Sequence, residues 1–130
     1  MRCKKYGTQN AKLASELNRP GYYILGITDP GGGFVPLYVG RSDTCLVTRL
    51  LHHELKPMMT HFYAVGSDTI MQAYLHECML FHRYRDQLLN DNHPNSPDGT
   101  SLTCPQCHCE GKITTRAVSI AQRRGGVANG

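Results

Sequence analysis

The sequence predicts a small α+β domain in which a three-stranded antiparallel sheet is flanked by helices. Two observations support this fold class. The chain has 130 residues, which is enough for one compact domain. Short runs of aromatic and β-branched residues alternate with segments that carry leucine and aromatic residues at helical spacing. We assign 20–111 to this domain, 1–19 to a basic N-terminal segment, and 112–130 to a basic, disordered tail.

The first elements are a short helix and a hairpin. A helix is expected at 9–17, where two leucines lie one turn apart. Residues 21–28 are aromatic and β-branched, which predicts a strand. An Asp-Pro-Gly-Gly-Gly turn at 29–33 separates this strand from a second short one at 36–40. The two strands are therefore expected to form an antiparallel hairpin.

Two further helices and one strand complete the predicted domain. Leucines at helical spacing predict a helix that begins after the N-cap residues 42–44 and ends before Pro57. A third strand is expected at 61–66. A longer helix is expected to begin at 67–69 and to extend to about residue 89. Its apolar stripe comprises Tyr74, Cys78, Phe81 and Leu88. A loop with several prolines and a weak strand at 112–115 follow.

Composition and charge narrow the function classes. The net charge is +4, which permits an anionic partner without requiring one. Basic residues at both ends are explained either as solvated tails or as extra phosphate contacts. These residues are Arg2, Lys4, Lys5, Arg116, Arg123 and Arg124. No apolar run approaches the ~20 residues of a membrane helix, and no apolar signal core follows the N-terminus. We expect a cytoplasmic protein whose six cysteines do not form a disulfide framework.

Glu77 has an unusual position for a carboxylate. It lies in the middle of the long predicted helix, and its neighbours three or four residues away are Tyr74, Leu80 and Phe81. A carboxylate in apolar surroundings needs a cation, because unpaired burial is unfavourable. Two interpretations follow. Glu77 either forms a salt bridge with an arginine or binds Mg²⁺, with water and phosphate oxygens as the remaining ligands.

Two tyrosine-rich motifs precede an arginine and this glutamate. They are Gly-Tyr-Tyr at 21–23 and Tyr-Val-Gly at 38–40. With Arg49 and Glu77, they resemble the GIY-YIG nuclease domain, which is found in repair, homing and restriction endonucleases. The motifs stand where the family has Gly-Ile-Tyr and Tyr-Ile-Gly, and the two charged residues match an arginine and a glutamate on successive family helices. The resemblance covers about 20–97 and implies a divalent-metal-dependent DNA endonuclease that hydrolyses phosphodiester bonds.

The resemblance also implies catalytic roles. Glu77 is expected to hold Mg²⁺ or Mn²⁺ against the scissile phosphate, and Arg49 to stabilise the growing negative charge. A tyrosine is expected to take the proton from the attacking water, with Tyr38 favoured as the base and Tyr23 as its orienting partner. Arg41 stands where the family often has lysine and is expected to assist ionisation of the phenol.

The predicted partner is DNA. Its contacts are expected from Arg41, Arg49, His52 and His53, although favourable placement near a helix C-terminus explains the two histidines equally well. Specificity is expected to come from DNA structure or from a partner protein, because the chain has no room for a separate recognition domain. The sequence predicts neither an oligomeric state nor a membrane contact.

Two departures from the family pattern keep a rival interpretation open. Arg49 comes nine residues after Gly40, one later than is usual in the family. The family also has a terminal asparagine, for which Asn92, His93 and Asn95 are the candidates. The rival is a catalytically inactive GIY-YIG-like module that contains zinc and binds nucleic acid or protein.

A Cys-x-x-Cys pair indicates a metal site in the loop 93–111. In a cytosolic protein such a pair is typical of half a zinc site or of a redox pair. A redox pair needs a helix N-terminus in a βαβ context, which this sequence does not predict. The other half is expected on the long helix, where a cysteine and a histidine four residues apart share a face. The predicted ligands are Cys78, His82, Cys104 and Cys107, with His93 and Cys109 as alternatives. We expect a tetrahedral, structural zinc site, and unliganded thiols remain the other interpretation.

Overall fold

A computed structural model describes residues 3–7 and 11–107. Its strands are β1 (Lys4–Lys5), β2 (Gly21–Thr28), β3 (Phe34–Ser42) and β4 (His61–Gly66). Its helices are α1 (Ala11–Glu16), α2 (Leu46–Leu51) and α3 (Ile70–Tyr84), with a 3-10 turn at Lys56–Met58 between α2 and β4. The strands form one antiparallel sheet in the order β1-β4-β2-β3.

The α+β fold class is confirmed, but the predicted number of strands is wrong. The structure adds β1, whose two lysines pair with His61 and Phe62 on β4. Two consecutive lysines lack the residue types that favour a strand, so the sequence gives no signal for β1. The strand is defined by its pairing with β4. The bounds of β2 and β4 agree with the prediction, and β3 is longer than predicted at both ends. The expected weak strand at 112–115 and the tail 112–130 lie outside the described residues.

Helix α3 begins where its capping residues predict, whereas the N-cap of α2 is Cys45 rather than one of the predicted residues 42–44. Both helices end earlier than expected. The Thr69 hydroxyl accepts a hydrogen bond from the Gln72 N–H at 3.1 Å, and the Gln72 side chain accepts one from the Thr69 N–H at 3.2 Å. This reciprocal pair fixes the start of α3. The helix ends at Tyr84 rather than near residue 89. Within the ranges described above, no helix is both long and apolar enough to cross a bilayer.

The sheet has an apolar cluster on each face. Successive side chains of a strand point to opposite faces, so Tyr23 and Ile24 belong to different clusters. The α1 and α2 side includes Leu17, Tyr23, Leu25, Leu46, Leu50 and Phe62. The α3 side includes Ile24, Val39, Leu80, Phe81 and Leu88. The same alternation places Tyr38 on the α2 side and Arg41 on the α3 side.

The chain that follows α3 covers the outer edge of β3. The Leu89 N–H donates to the Leu37 carbonyl at 2.6 Å. The Asn90 side chain accepts from the Val39 N–H at 3.0 Å and donates to the Val39 carbonyl at 2.7 Å. These bonds satisfy backbone groups that an edge strand would otherwise leave exposed. They also fix residues 89–90 beside the tyrosine motif at 38–40.

Gly40 lies directly under the ring of Tyr23. The two residues are register partners, and a Cβ at position 40 would overlap the Tyr23 phenol. We therefore expect Gly40→Ala to displace Tyr23 and to lower the free energy of unfolding by about 1–3 kcal/mol. Urea denaturation measures this effect. Gly31→Ala is the control, because a Cβ there meets only Asp29 at 3.4 Å and should change stability by at most ~0.5 kcal/mol. Equal denaturation midpoints for Gly40→Ala and the wild type would contradict the packing.

Candidate functional site

A groove of about 420 Å³ follows the covered edge of β3. Its walls come from β3, from the segment after α2, from α3 and from the chain at 89–95. Tyr38, Glu54, Glu77 and His93 are among the residues that line it. Residues that are distant in sequence therefore meet around one concave, mostly polar surface.

Glu77 lies in the wall of this groove, and its side chain is 10% exposed. Its Oε1 accepts a hydrogen bond from Arg41 Nη1 at 2.8 Å, so the salt bridge considered from the sequence is present. Burial raises the pKa of the Glu77 carboxyl to about 8, although the charge of Arg41 acts in the opposite direction. Arg41 alone does not offset the burial, so a further cation would stabilise the ionised carboxylate. Among the described residues Arg41 is the hydrogen-bond partner of Glu77, which leaves Oε2 available.

Arg41 connects Glu77 to two other parts of the chain. Its Nε and Nη2 donate to the Asp43 carboxylate at 2.6 and 3.3 Å. Its Nη1 donates to the Asn95 carbonyl at 2.8 Å as well as to Glu77. The guanidinium also lies over the Tyr74 ring, 5.3 Å from the centroid. The family resemblance implies that Arg41 lies beside a phenol that ionises. The structure places it against these carboxylates, and a different arginine lies beside the phenols.

That arginine is Arg49 on α2. Its Nε donates to the Tyr23 hydroxyl at 3.2 Å. The Tyr23 and Tyr38 rings are 6.5 Å apart and nearly parallel, as expected for two residues on the same sheet face. Burial raises the pKa of both phenols, the charge of Arg49 opposes this rise, and ionised Glu77 adds to it. Tyr23 is 1% exposed, whereas Tyr38 lines the groove. Tyr38 is thus the phenol that a molecule in the groove would meet.

His53, which follows α2 in the chain, packs against the two tyrosine rings. Its ring makes edge contacts with Tyr23 and Tyr38, at centroid distances of 5.5 and 4.9 Å. Its Nδ1 accepts from the Leu55 N–H at 3.1 Å, so the proton of the neutral ring is on Nε2. Burial, aided by the charge of Arg49, lowers the pKa of His53 to about 4. The sequence predicts phosphate contacts from both His52 and His53. Only His52 is exposed, because His53 is buried behind the tyrosines.

Asn90 is a residue that the sequence analysis did not single out. Its side chain makes both hydrogen bonds to the Val39 backbone, inside the motif at 38–40. The residues considered for an asparagine beside the motif were Asn92, His93 and Asn95. A Leu-Leu-Asn sequence after a helix gives no signal for such a bond, because the bond depends on how the chain returns along the edge strand.

A second cluster lies where α3 meets the loop after it. It consists of His82, His93, Cys104 and Cys107, whose ligand atoms all lie within 4.8 Å of one another. His93 Nε2 is 3.2 Å from His82 Nε2 and 3.3 Å from Cys107 Sγ. In a tetrahedral zinc site, bond lengths of about 2.0–2.1 Å to nitrogen and 2.3 Å to sulfur set ligand separations of roughly 3.3 Å between nitrogens and 3.6 Å between nitrogen and sulfur. The cluster can therefore hold a metal ion such as zinc.

The two histidines are in the form that a metal requires. His93 Nδ1 donates to the Pro94 carbonyl at 2.8 Å, so Nε2 presents its lone pair to the cluster. Burial lowers the pKa of His82 to about 4 and also lowers the pKa of His93. Both rings are neutral near pH 7 as a result.

The cluster differs from the predicted ligand set at one position. His93, which the sequence analysis gave as an alternative, lies where Cys78 was expected. Cys78 instead packs with Tyr74 and Cys104 in a small buried group between α3 and the loop that follows it. Burial raises the pKa of the Cys78 thiol well above its usual range, which disfavours the thiolate that a metal needs. The other alternative ligand, Cys109, lies outside the described residues.

No family model matches this chain, and neither the curated proteins nor the solved structures give a match. Function is therefore inferred from the geometry of the groove, from the metal cluster and from the motif resemblance.

Proposed function

We propose that the protein is a divalent-metal-dependent DNA endonuclease of the GIY-YIG type that also carries a structural zinc ion. The observation that supports this most strongly is that two of the four motif elements line one groove and the other two are in contact with one of them. Tyr38 and Glu77 both line it. Arg49 is bonded to Tyr23, whose ring lies beside that of Tyr38.

Glu77 suits a Mg²⁺ or Mn²⁺ ion. Mg²⁺ is commonly held by one or two carboxylates, with waters and substrate phosphate oxygens as the other ligands. Glu77 offers one oxygen to a polar groove, while Arg41 holds the other. When bound, the ion would stabilise charge on the scissile phosphate and on the leaving 3′ oxygen.

The two tyrosines and Arg49 are proposed to accept the proton of the attacking water and to stabilise the phosphate. Tyr38 takes the proton from the attacking water. Burial raises the pKa of this phenol, and the nearby charge of Arg49 acts against that rise and so favours the ionised form that accepts the proton. The Tyr23 hydroxyl accepts a hydrogen bond from Arg49 Nε, and the Tyr38 hydroxyl is a second side-chain partner of this guanidinium. Both phenols thereby hold the Arg49 guanidinium in position to stabilise the phosphate, whose charge grows as the reaction proceeds.

DNA binding draws on Arg49 and the exposed His52, in keeping with the charge of +4. Specificity comes from DNA structure or from a partner protein, and we place the protein in the cytoplasm.

One observation favours the rival, an inactive binding module. The ion pair between Arg41 and Glu77 already gives the buried carboxylate a cation.

Incubation of the purified protein with DNA distinguishes a nuclease from an inactive binding module. The substrates are supercoiled plasmid, branched duplex and single-stranded DNA, each with Mg²⁺, with Mn²⁺ or with a chelator. We expect nicked or cut products with either metal and none with the chelator. Binding without cleavage of any substrate would reject the nuclease in favour of the binding module.

The zinc ion is proposed to be bound by the cluster of His82, His93, Cys104 and Cys107. We expect about one zinc per chain and a lower melting temperature after chelation, because metal binding contributes to the free energy of folding. His93→Ala and Cys107→Ser should each lower the zinc content measured by atomic absorption. Cys45→Ser, outside the cluster, should leave it unchanged.

The same measurement decides between the two ligand sets. Cys78→Ser should keep full zinc, because Cys78 lies outside the cluster. Zinc loss in Cys78→Ser together with full zinc in His93→Ala would instead support the set predicted from the sequence. A metal-free wild type, purified under reducing conditions without chelator, would contradict zinc binding by either set.

A further inference from the structure

His93 belongs to both the groove and the metal cluster. Its side chain lines the groove, and its Nε2 is one of the four ligand atoms. The residues on either side of it, 89–92 and 94–95, also line the groove. The metal cluster therefore lies directly behind one wall of the groove.

A short series of contacts leads from this cluster to Glu77. His93 is bonded through Nδ1 to the Pro94 carbonyl, and the next carbonyl, that of Asn95, accepts from Arg41 Nη1. The same Nη1 donates to Glu77 Oε1. A single nitrogen thus joins the carboxylate to a carbonyl two residues from a cluster ligand. From the other side, His82 and Glu77 lie on the same helix, α3.

The segment that carries His93, Cys104 and Cys107 has no regular secondary structure to hold it in place. From 90 to 107, the described chain contains no helix or strand. Without a metal, two imidazole nitrogens face each other at 3.2 Å in a buried position. When both rings are neutral, one N–H at most can lie between these two nitrogens. That proton must come from His82, because the proton of His93 is on Nδ1 and is donated to the Pro94 carbonyl. A metal ion satisfies all four ligand atoms at once and secures the loop against α3.

We infer that metal in the His82, His93, Cys104 and Cys107 cluster positions the groove wall and, through Arg41, the carboxylate of Glu77. The cluster thereby acts as a positioning element that controls cleavage, in addition to stabilising the fold. The part of this inference that concerns cleavage rests on the proposed function.

Hydrogen exchange tests the inference without any activity measurement. Zinc is removed from the wild type with a chelator, the helix content is checked by circular dichroism, and zinc is then added back. We expect faster exchange at the Leu89 amide, bonded to Leu37, and at the Val39 amide, bonded to Asn90. The Ile24 amide, in the central strand β2, should be unaffected, and added zinc should restore protection.

Cleavage is measured on the same samples after Mg²⁺ is restored. The metal-free protein should cut DNA on the order of 10²-fold more slowly, since a small misplacement of a catalytic group has effects of this size. Its DNA affinity should change by less than about threefold, because phosphate contacts elsewhere remain. Cys107→Ser should reproduce the metal-free behaviour, and Cys45→Ser should behave as the wild type.

The outcomes separate the inference from the proposed function. Unchanged exchange at Leu89 and Val39 after zinc removal overturns the inference, whether or not the protein cuts DNA. Failure to take up zinc overturns it as well. Zinc-dependent exchange in a protein that cuts no DNA supports the positioning of the groove wall and counts against the nuclease alone.

Discussion

Glu77→Gln is expected to bind DNA and to have lost cleavage. Glutamine keeps the shape of the side chain and an oxygen that can accept from Arg41, but it removes the charge that would hold a divalent metal. A bound metal contributes several kcal/mol to a phosphoryl transition state, and each ~1.4 kcal/mol corresponds to a tenfold change in rate. The nicking rate of supercoiled plasmid should therefore fall by about 10³-fold or more.

The control for this variant is Glu16→Gln, which removes the same charge on α1. Glu16 is exposed and makes only a 4.0 Å surface ion pair with Lys12, so cleavage should be unchanged. Cleavage by Glu77→Gln at the wild-type rate would show that the metal role is wrong. A parallel loss of DNA binding and of cleavage would instead assign Glu77 a purely structural role with Arg41.

Arg49→Lys is expected to have the second-largest effect. Lysine retains the charge but lacks the Nε donor that reaches Tyr23 and the paired terminal nitrogens that suit a phosphate. Loss of one preorganised donor to a developing oxyanion slows reactions by about 10²–10³-fold. We expect a loss of that size in kcat, measured under single-turnover conditions, with a smaller change in DNA affinity.

Arg19→Lys provides the matched control. Arg19 lies on the surface and pairs with Asp68 at 3.6 Å, away from the groove residues. Its replacement should leave cleavage within about twofold of the wild type, as is usual for exposed charges. Equal rates for Arg49→Lys and Arg19→Lys would contradict the place of Arg49 in the chemistry.

The bounds of β2 and β4 could be predicted because their pattern is local. The aromatic and β-branched run at 21–28 and the one at 61–66 have the predicted bounds. The strand β1 could not be predicted, because Lys4 and Lys5 are extended only through their pairing with β4. The early end of α3 was missed for a similar reason, since the chain after Tyr84 leaves the helix to bond along β3.

The candidate site was predictable to the extent that strand alternation and helix spacing determine it. Alternation places Tyr23 and Tyr38 on one face, and the structure has their rings 6.5 Å apart. The sequence also indicates that Glu77 needs a cation. It does not identify the partner as Arg41, because that depends on the side of β3 against which α3 packs.

The loop contacts were the least predictable part of the site. The Cys-x-x-Cys pair predicts Cys104 and Cys107 as members of the His/Cys cluster that can hold a metal, and helix spacing predicts His82. The choice between Cys78 and His93 depends on the path of an irregular segment, for which no periodic pattern exists. The bonds from Asn90 to β3 depend on that same path.

Hydrolysis at this groove is tested most directly by the chemistry of the cut ends. Plasmid or branched DNA is cleaved in ¹⁸O-labelled water with Mg²⁺ by the wild type and by Glu77→Gln purified in the same way, and the ends are analysed by mass spectrometry. We predict 3′-hydroxyl and 5′-phosphate ends from the wild type, with one ¹⁸O atom in each 5′-phosphate, and no cut ends from the variant. Uncut DNA with the wild type, equal cleavage by both proteins, or unlabelled 5′-phosphates would contradict the proposed site.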